Sequence, residues 1–398
     1  MNLLTYIPQS GVYIDWDAFE NEHSELVTNL RHTPQDTRHH TEGDVWTHTK
    51  MVVDALVRLE AWQTLDTRNK HISFLAALLH DIAKPLCTKI QDDGTITSAG
   101  HSKKGEIDTR ILLWRSGLDF EDREIIARII GSHQKPFFIL NAENPIFELR
   151  KLSRDIPLHL LFMVAMADAL GRYTTPAQNR QITIDNLELV TILAQEEGIL
   201  YEPYIPADAD TWLKYLNKQG NDIDPAYSVY SNNHDFKVYI MCGLPGMGKD
   251  TWIKTYGQNL PVLSYDALRE EKGLLHGDAI GDIPSLIKDE AKSYLRKKQS
   301  FIWNATHISG SMRKKALDLV HAYGAYVEII YIEASNEKAW RTQNKNRNAS
   351  VPDKALDRML FKWEIPSINE AHDVSYIIGG TRQYPIPESK RTSMYEIN

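Results

Sequence analysis

The chain of 398 residues carries 53 acidic and 45 basic side chains, a net charge of −8, with 42% apolar and 25% charged residues. That length suggests two or three domains, and the composition is that of a globular chain, which excludes wholesale disorder. The acidic balance argues against a broad coating of nucleic acid, so any polyanion must be held at discrete basic positions.

The first residues, MNLLTYIPQSGVYID, lack the basic leader and apolar stretch of a signal peptide. VWTHTKMVVDALVRLEAW (45–62) then sets His48, Val52, Ala55, Leu56 and Leu59 on one helical face. HISFLAALLHDIAK (71–84), EIIARIIGSH (124–133) and LRKLSRDIPLHLLFMVAMADALGR (149–172) continue the period, with Pro157 expected to restart the last helix. Within it, the longest apolar run, 158–170, is interrupted by His159 and Asp168 and is too short to span a bilayer. Residues 1–205 are therefore expected to form an all-α domain. Residues 206–235, rich in Pro, Asp, Asn and Tyr, read as a partly ordered linker. From 236 to 398 the texture changes: FKVYIMC, LPVLSY, SFIWNAT, YVEIIYIE and VSYIIGG read as strands separated by helical stretches. Such alternation predicts an α/β domain with a parallel sheet and helices on both faces. Two cysteines, Cys87 and Cys242, supply no disulfide framework, and a cytoplasmic protein without membrane association is expected.

The chain contains three adjacent His-Asp pairs, His80-Asp81, His234-Asp235 and His372-Asp373, and adjacency alone carries little. The first differs by its company: His48 upstream, then His101 in SAGHSKKGE, His133 in GSHQKP and Asp168 in MADALGR. Imidazoles and carboxylates turned into a helical core are expensive unless they bind something, and a divalent metal satisfies them together. The order His…His-Asp…His…His…Asp, with Lys84 three residues after Asp81 and Arg172 after DALG, resembles the HD phosphohydrolase superfamily over roughly 40–175. It is most similar to the HD domains attached to bacterial tRNA nucleotidyltransferases. The resemblance implies that His48, His80, Asp81 and Asp168 hold one metal, and that His101 and His133 hold a second with Asp81 bridging. Two such cations would clamp a phosphate and activate water, with Lys84 stabilising charge that develops on phosphorus. Mixed nitrogen and oxygen ligands suit Mn, Co, Ni, Zn or Fe better than Mg.

In the second half, Gly243-Leu-Pro-Gly246-Met247-Gly248-Lys249 follows a predicted strand and opens a helix, so backbone N–H groups and the helix N-terminus converge on one point. Lys249 would neutralise β- and γ-phosphates. Asp250 stands where a Ser or Thr hydroxyl usually meets magnesium. A carboxylate beside phosphate oxygens repels them unless a cation lies between, so Asp250 contacts Mg²⁺ or its waters; the alternative is that Thr251 takes the metal and Asp250 is a plain N-terminal helix acid. The next strand ends LSYDALRE, which in an open parallel sheet puts Asp266 near the transferred group, able to accept the proton of an attacking hydroxyl. Arg269 could hold acceptor phosphate or orient that Asp. Farther on, RTQNKNRNASVP (341–352) gathers Arg341, Lys345 and Arg347, cations of the kind a phosphoryl-transfer transition state needs.

Together with FIWNATHISGSMRKKAL, these motifs resemble the kinase module of phage and bacterial polynucleotide 5′-kinases over 236–398. The resemblance implies Asp266 as general base, Arg269 as its orienting arginine, Arg347 on the donor phosphates, and ATP or GTP with Mg²⁺ as donor. The whole chain resembles bacterial HD-domain/polynucleotide kinase fusions, bifunctional enzymes that heal RNA or DNA ends. Expected partners are RNA or DNA ends, a nucleoside triphosphate and a separate ligase, since no nucleotidyl-lysine motif is evident. Two alternatives stay open: a small-molecule nucleotidase fused to a nucleoside or metabolite kinase, and a nucleotide-responsive regulator.

Overall fold

The computed structural model describes residues 3–8, 11–38, 40–174, 176, 178–230, 233–257, 259–271, 273, 283–347 and 350–383. By contact the chain divides into two units, Met1–Tyr204 and Ile205–Asn398. Among the described residues no helix is long and apolar enough to cross a membrane.

The first unit is helical apart from one small hairpin, β1 (Lys89–Ile90) with β2 (Ile96–Thr97). Several of its helices begin where short acidic side chains cap them: the Asp44 carboxylate accepts from Thr47 N at 2.9 Å, that of Asp66 from Asn69 N at 2.9 Å, and that of Asp119 from Asp122 N at 3.0 Å. Pro157 forms the N-terminal boundary of the helix Leu158–Leu170, as its missing N–H predicts. That helix packs with Val45–Arg58 and Thr67–Leu79 around a core including Val52, Val53, Leu56, Phe74, Leu161 and Val164. Where Leu158–Leu170 ends, a Cβ on Gly171 would lie 2.6 Å from the backbone of Val52, so only glycine permits this crossing. The crossing sets Asp168 against His48.

The second unit holds a six-stranded sheet among the described residues: β3 (Lys237–Cys242), β4 (Val262–Ser264), β5 (Phe301–Asn304), β6 (Tyr326–Glu333), β7 (Asp373–Ile378) and β8 (Thr381–Gln383), in the spatial order β4-β5-β3-β6-β7-β8. All pairs are parallel except β7 with β8, an antiparallel edge that the strand pattern does not announce. β3 is central, so both its faces are covered, and Val238, Ile240 and Met241 are fully buried. The expected linker differs from expectation. Residues 206–230 and 233–235 belong by contact to this unit and include the helix Ala209–Asn217. Its Trp212 is buried and donates to Asn369 Oδ1 at 3.0 Å, so the polar composition conceals one anchoring face. The last part of the expected kinase segment, 384–398, lies outside the described residues.

Candidate active sites

All six expected ligands of the first unit converge in its buried interior. Asp81 faces two ways. Its Oδ2 lies 3.1 Å from His80 Nε2 and 3.9 Å from His48 Nε2, and its Oδ1 lies 3.3 Å from His101 Nε2 and 4.0 Å from His133 Nε2. Asp168 Oδ1 is 3.1 Å from His48 Nε2. The donor atoms form two groups, His48/His80/Asp168 and Asp81/His101/His133, the ligand atoms of each lying within 4.8 Å of one another.

The tautomers explain why this cluster suits a cation. His80 Nδ1 donates to Ala77 O, His101 Nδ1 to Ser98 O and His133 Nδ1 to Ile130 O, each at 2.7 Å, and His48 Nδ1 lies 3.0 Å from Glu42 Oε1 and 3.3 Å from Gly171 O. A neutral imidazole whose Nδ1 carries the proton presents a bare lone pair at Nε2. Those lone pairs point at carboxylate oxygens, and two acceptors cannot satisfy each other. His48 Nε2, His80 Nε2, Asp81 Oδ1 and Asp168 Oδ1 are accordingly buried without a hydrogen-bond partner. A divalent cation fits this donor set, and the carbonyl contacts behind the rings are the outer support that metal-binding histidines use.

Without a cation the buried carboxylates draw on the charges around them: burial pushes the His80 imidazole down, but Asp81 outweighs it and holds His80 above its ordinary value, so a proton on that ring stands where a metal would otherwise bind. Burial pushes the Asp81 carboxyl up, but His80, Lys84 and His101 outweigh it and hold it well below the usual carboxylate range. For Asp168 burial is likewise outweighed, here by Arg172 and His48. His133 is pushed down to about 3 by burial, and next by the neighbouring His80, so it is a neutral imidazole at physiological pH. Lys84 Nζ bridges Asp81 Oδ2 and Gln35 Oε1, both at 2.7 Å, and Arg172 Nη2 meets Asp168 Oδ2 at 2.5 Å. A cleft of 550 Å³ opens above, lined by Lys84, His101 and Arg172 among others. Sequence reasoning missed Glu42, which contacts His48 and His40 (2.8 Å) and accepts from Tyr173 N (3.0 Å). Glu42 lies three residues before the first helix of the cluster, where no periodicity marks it.

The second site forms at the carboxyl end of β3. Gly243 has φ 146°, and a Cβ there would meet Ile332 O at 2.4 Å, so the loop hugs β6 only because the residue is glycine. Trp340 Nε1 donates to Pro245 O at 2.7 Å, Ala334 N donates to Met247 Sδ at 3.0 Å, and Gly243 N donates to Thr306 O at 2.9 Å. The Met247 side chain thus points inward, and only its backbone is available to a nucleotide. Gly246 and Gly248 complete the turn into the helix Lys249–Tyr256. Lys249 Nζ folds back on Gly243 O (2.8 Å) and Leu244 O (3.0 Å); burial pushes it down to about 8, against the pull of Asp250.

Asp250 faces the cleft. Its Oδ1 accepts from Asn304 Nδ2 at 2.9 Å, and its Oδ2 is 3.8 Å from Arg347 Nη2. The same guanidinium lies 3.6 Å from Asp266 Oδ2, so Arg347 stands between the two carboxylates. Asp266 opens the helix Tyr265–Glu271, which also carries Arg269, and its side chain is 74% exposed. Thr251 is exposed and also lines the cleft of 1940 Å³. Arg341, in contrast, is tied to Glu337 and Asp357, each at 2.7 Å, and does not line the cleft. Two residues that lie inside the sequence motifs but were given no role there hold this geometry. Asn304 ends β5 against Asp250, and Asn344 exchanges bonds with Val351 (2.8 and 3.1 Å), closing the loop that presents Arg347.

Residues 45–173 match the family model of the HD domain, and residues 238–366 match that of an AAA domain. The chain thus joins an N-terminal HD domain to a C-terminal P-loop, kinase-like domain. No curated protein matches it. A solved structure described as a "putative kinase" from Chloroflexus aurantiacus j-10-fl is 19% identical, covering 37% of this chain and 88% of that one, with a TM-score of 0.32, a likeness too low to carry an argument.

Proposed function

We propose that this chain heals broken polynucleotide ends, phosphorylating 5′-hydroxyls in its P-loop unit and removing 2′,3′-cyclic, 2′- or 3′-phosphates in its HD unit. The observation that carries the reading is the pairing, in one chain, of a cation-shaped His/Asp cluster with a P-loop cleft whose exposed Asp266 lies beside Arg347. Asp266 is accessible to an incoming hydroxyl and accepts its proton as the new bond to phosphorus forms. Lys249 and Arg347 neutralise charge on the transferred group, Arg269 orients Asp266 or the acceptor phosphate, and Asp250, steadied by Asn304, faces the cation that accompanies the triphosphate. In the HD unit, His48, His80, Asp81, His101, His133 and Asp168 would hold divalent metal, which supplies phosphate clamping and water activation when bound. Asp81 spans both donor groups, while Lys84 and Arg172 keep positive charge at the mouth of the cluster for the phosphate.

The test is an RNA strand bearing a 5′-hydroxyl and a 2′,3′-cyclic phosphate, incubated with labelled ATP or GTP, Mg²⁺ and in turn Mn²⁺, Co²⁺ or Ni²⁺. Label transfer is expected to vanish in Asp266→Ala alone, and loss of 3′-phosphate to vanish in Asp81→Ala alone. Turnover of free nucleotides and nucleosides with both RNA ends untouched would instead establish the small-molecule nucleotidase–kinase.

A further inference from the structure

The HD cleft carries more on its rim than phosphate chemistry uses. Just after His133, the 3₁₀ turn Lys135–Asn141 lines the cleft through Phe137 and Phe138. Pro136 and Ile139 are buried, and Phe137 packs against the cluster of Ala165, Ala169 and Leu187 with the Arg172 guanidinium 5.1 Å from its ring. Anchored on both sides, the turn projects Phe138 outward, 63% exposed, onto the lining of the same cleft as Lys84, His101 and Arg172. A single exposed ring on a protein surface is ordinary. A bare ring on a braced turn, at the mouth of a 550 Å³ cleft whose interior presents a lysine and an arginine, is placed as aromatic platforms are placed for nucleobases. Gln134 and Asn186 line the cleft with amides able to meet the edge of a base.

We propose that Phe138 is the stacking platform for the base of the terminal nucleotide whose phosphate enters the HD site. This rests on the phosphoesterase reading above and narrows it: the substrate is a base-bearing nucleotide end, and a sugar phosphate or inorganic polyphosphate lacks the part that Phe138 holds.

The experiment uses the full chain with Mn²⁺ and compares a short RNA carrying a 3′-phosphate with the same strand made abasic at its last residue. Phe138→Ala is expected to lower kcat/KM on the base-bearing strand about 5- to 150-fold, mainly through KM, as loss of one stacked base does. Phe138→Trp should restore it, and all three proteins should process the abasic strand alike. An unchanged base-bearing rate in Phe138→Ala, or an equal fall on both strands, overturns the proposal. If the wild type hydrolyses neither strand, the phosphoesterase reading fails, and binding of both strands in EDTA decides the matter for Phe138. Base-dependent weakening in Phe138→Ala then supports it, and equal affinities overturn it.

Discussion

At the scale of single residues, Glu42 and Gly171 show how much of the His/Asp cluster depends on groups outside the proposed ligand set. Burial raises the Glu42 carboxyl, yet bonds from His40 and His48 hold it well below the usual range, so a charged acceptor fixes the His48 tautomer. Glu42→Gln is therefore expected to weaken metal binding about 10- to 100-fold by competition titration while leaving 5′-phosphorylation intact. Unaltered affinity would show that Gly171 O alone orients the ring. Gly171→Ala acts differently, by forcing the helix Leu158–Leu170 away from Val52; about 1–3 kcal/mol of stability should be lost, with metal content per chain falling in parallel. Full metal occupancy in a destabilised variant would separate packing from ligand placement. The candidate ligands were legible in the sequence because each is a chemically unusual residue on an apolar helix or at its end. Glu42, Gln35, Asn304 and Asn344 were not, since a polar residue in a loop, at a strand end or in the last turn of a helix becomes distinctive only when its partner is brought to it.

At the scale of elements, the stretch from 206 to 235 and the two remaining His-Asp pairs turn out to be one feature. His234 Nε2 lies 2.9 Å and His372 Nε2 3.3 Å from Asp210 Oδ1, so the helix Ala209–Asn217 is clasped to the segments leading into β3 and β7. His307, beside the P-loop, is held at φ 42° by its own set of bonds: its Nδ1 donates to Met241 O at 2.9 Å, and its carbonyl accepts from Arg313 at 3.0 Å. A non-glycine residue in that region stores strain of about 1–3 kcal/mol, and here it carries Thr306 O to Gly243 N. Burial pushes both His307 and His372 down to about 4, so both are neutral when folded. Unfolded histidine binds its proton near pH 6.5, so between about 6.5 and 4 the unfolded chain takes up more protons. The stability these two contribute is full above about 6.5, falls as pH drops toward 4, and levels off below it. Denaturant melts of the second unit's transition should show that decline, flattened in His307→Gln; a flat profile in the wild type would mean that these rings are solvated before unfolding.

At the scale of the whole molecule, the two units carry separate hydrophobic cores, one built on the helices around Val52 and Leu161 and the other on the sheet around Met241 and Ile330. Separate cores favour separate transitions, and a bound metal stabilises only the fold that presents its ligands. Calorimetry of the metal-loaded chain should resolve two transitions, with chelator lowering the one lost in Asp81→Ala and leaving the other in place. A single transition shifted as a whole would reveal thermodynamic coupling between the units. Period 3.6 in the first half, alternating strands and helices in the second, the P-loop glycines and the ordered His/Asp set are local patterns, and these by themselves determined the two folds and singled out the residues of both candidate sites. The tertiary structure alone decided that Asp81 faces two donor groups, that Arg347 stands between Asp250 and Asp266, that Met247 turns inward and that the expected linker carries a helix clasped to the segments leading into β3 and β7. Each of these depends on contacts between residues far apart in the chain, which propensity and spacing along a single strand of sequence do not encode.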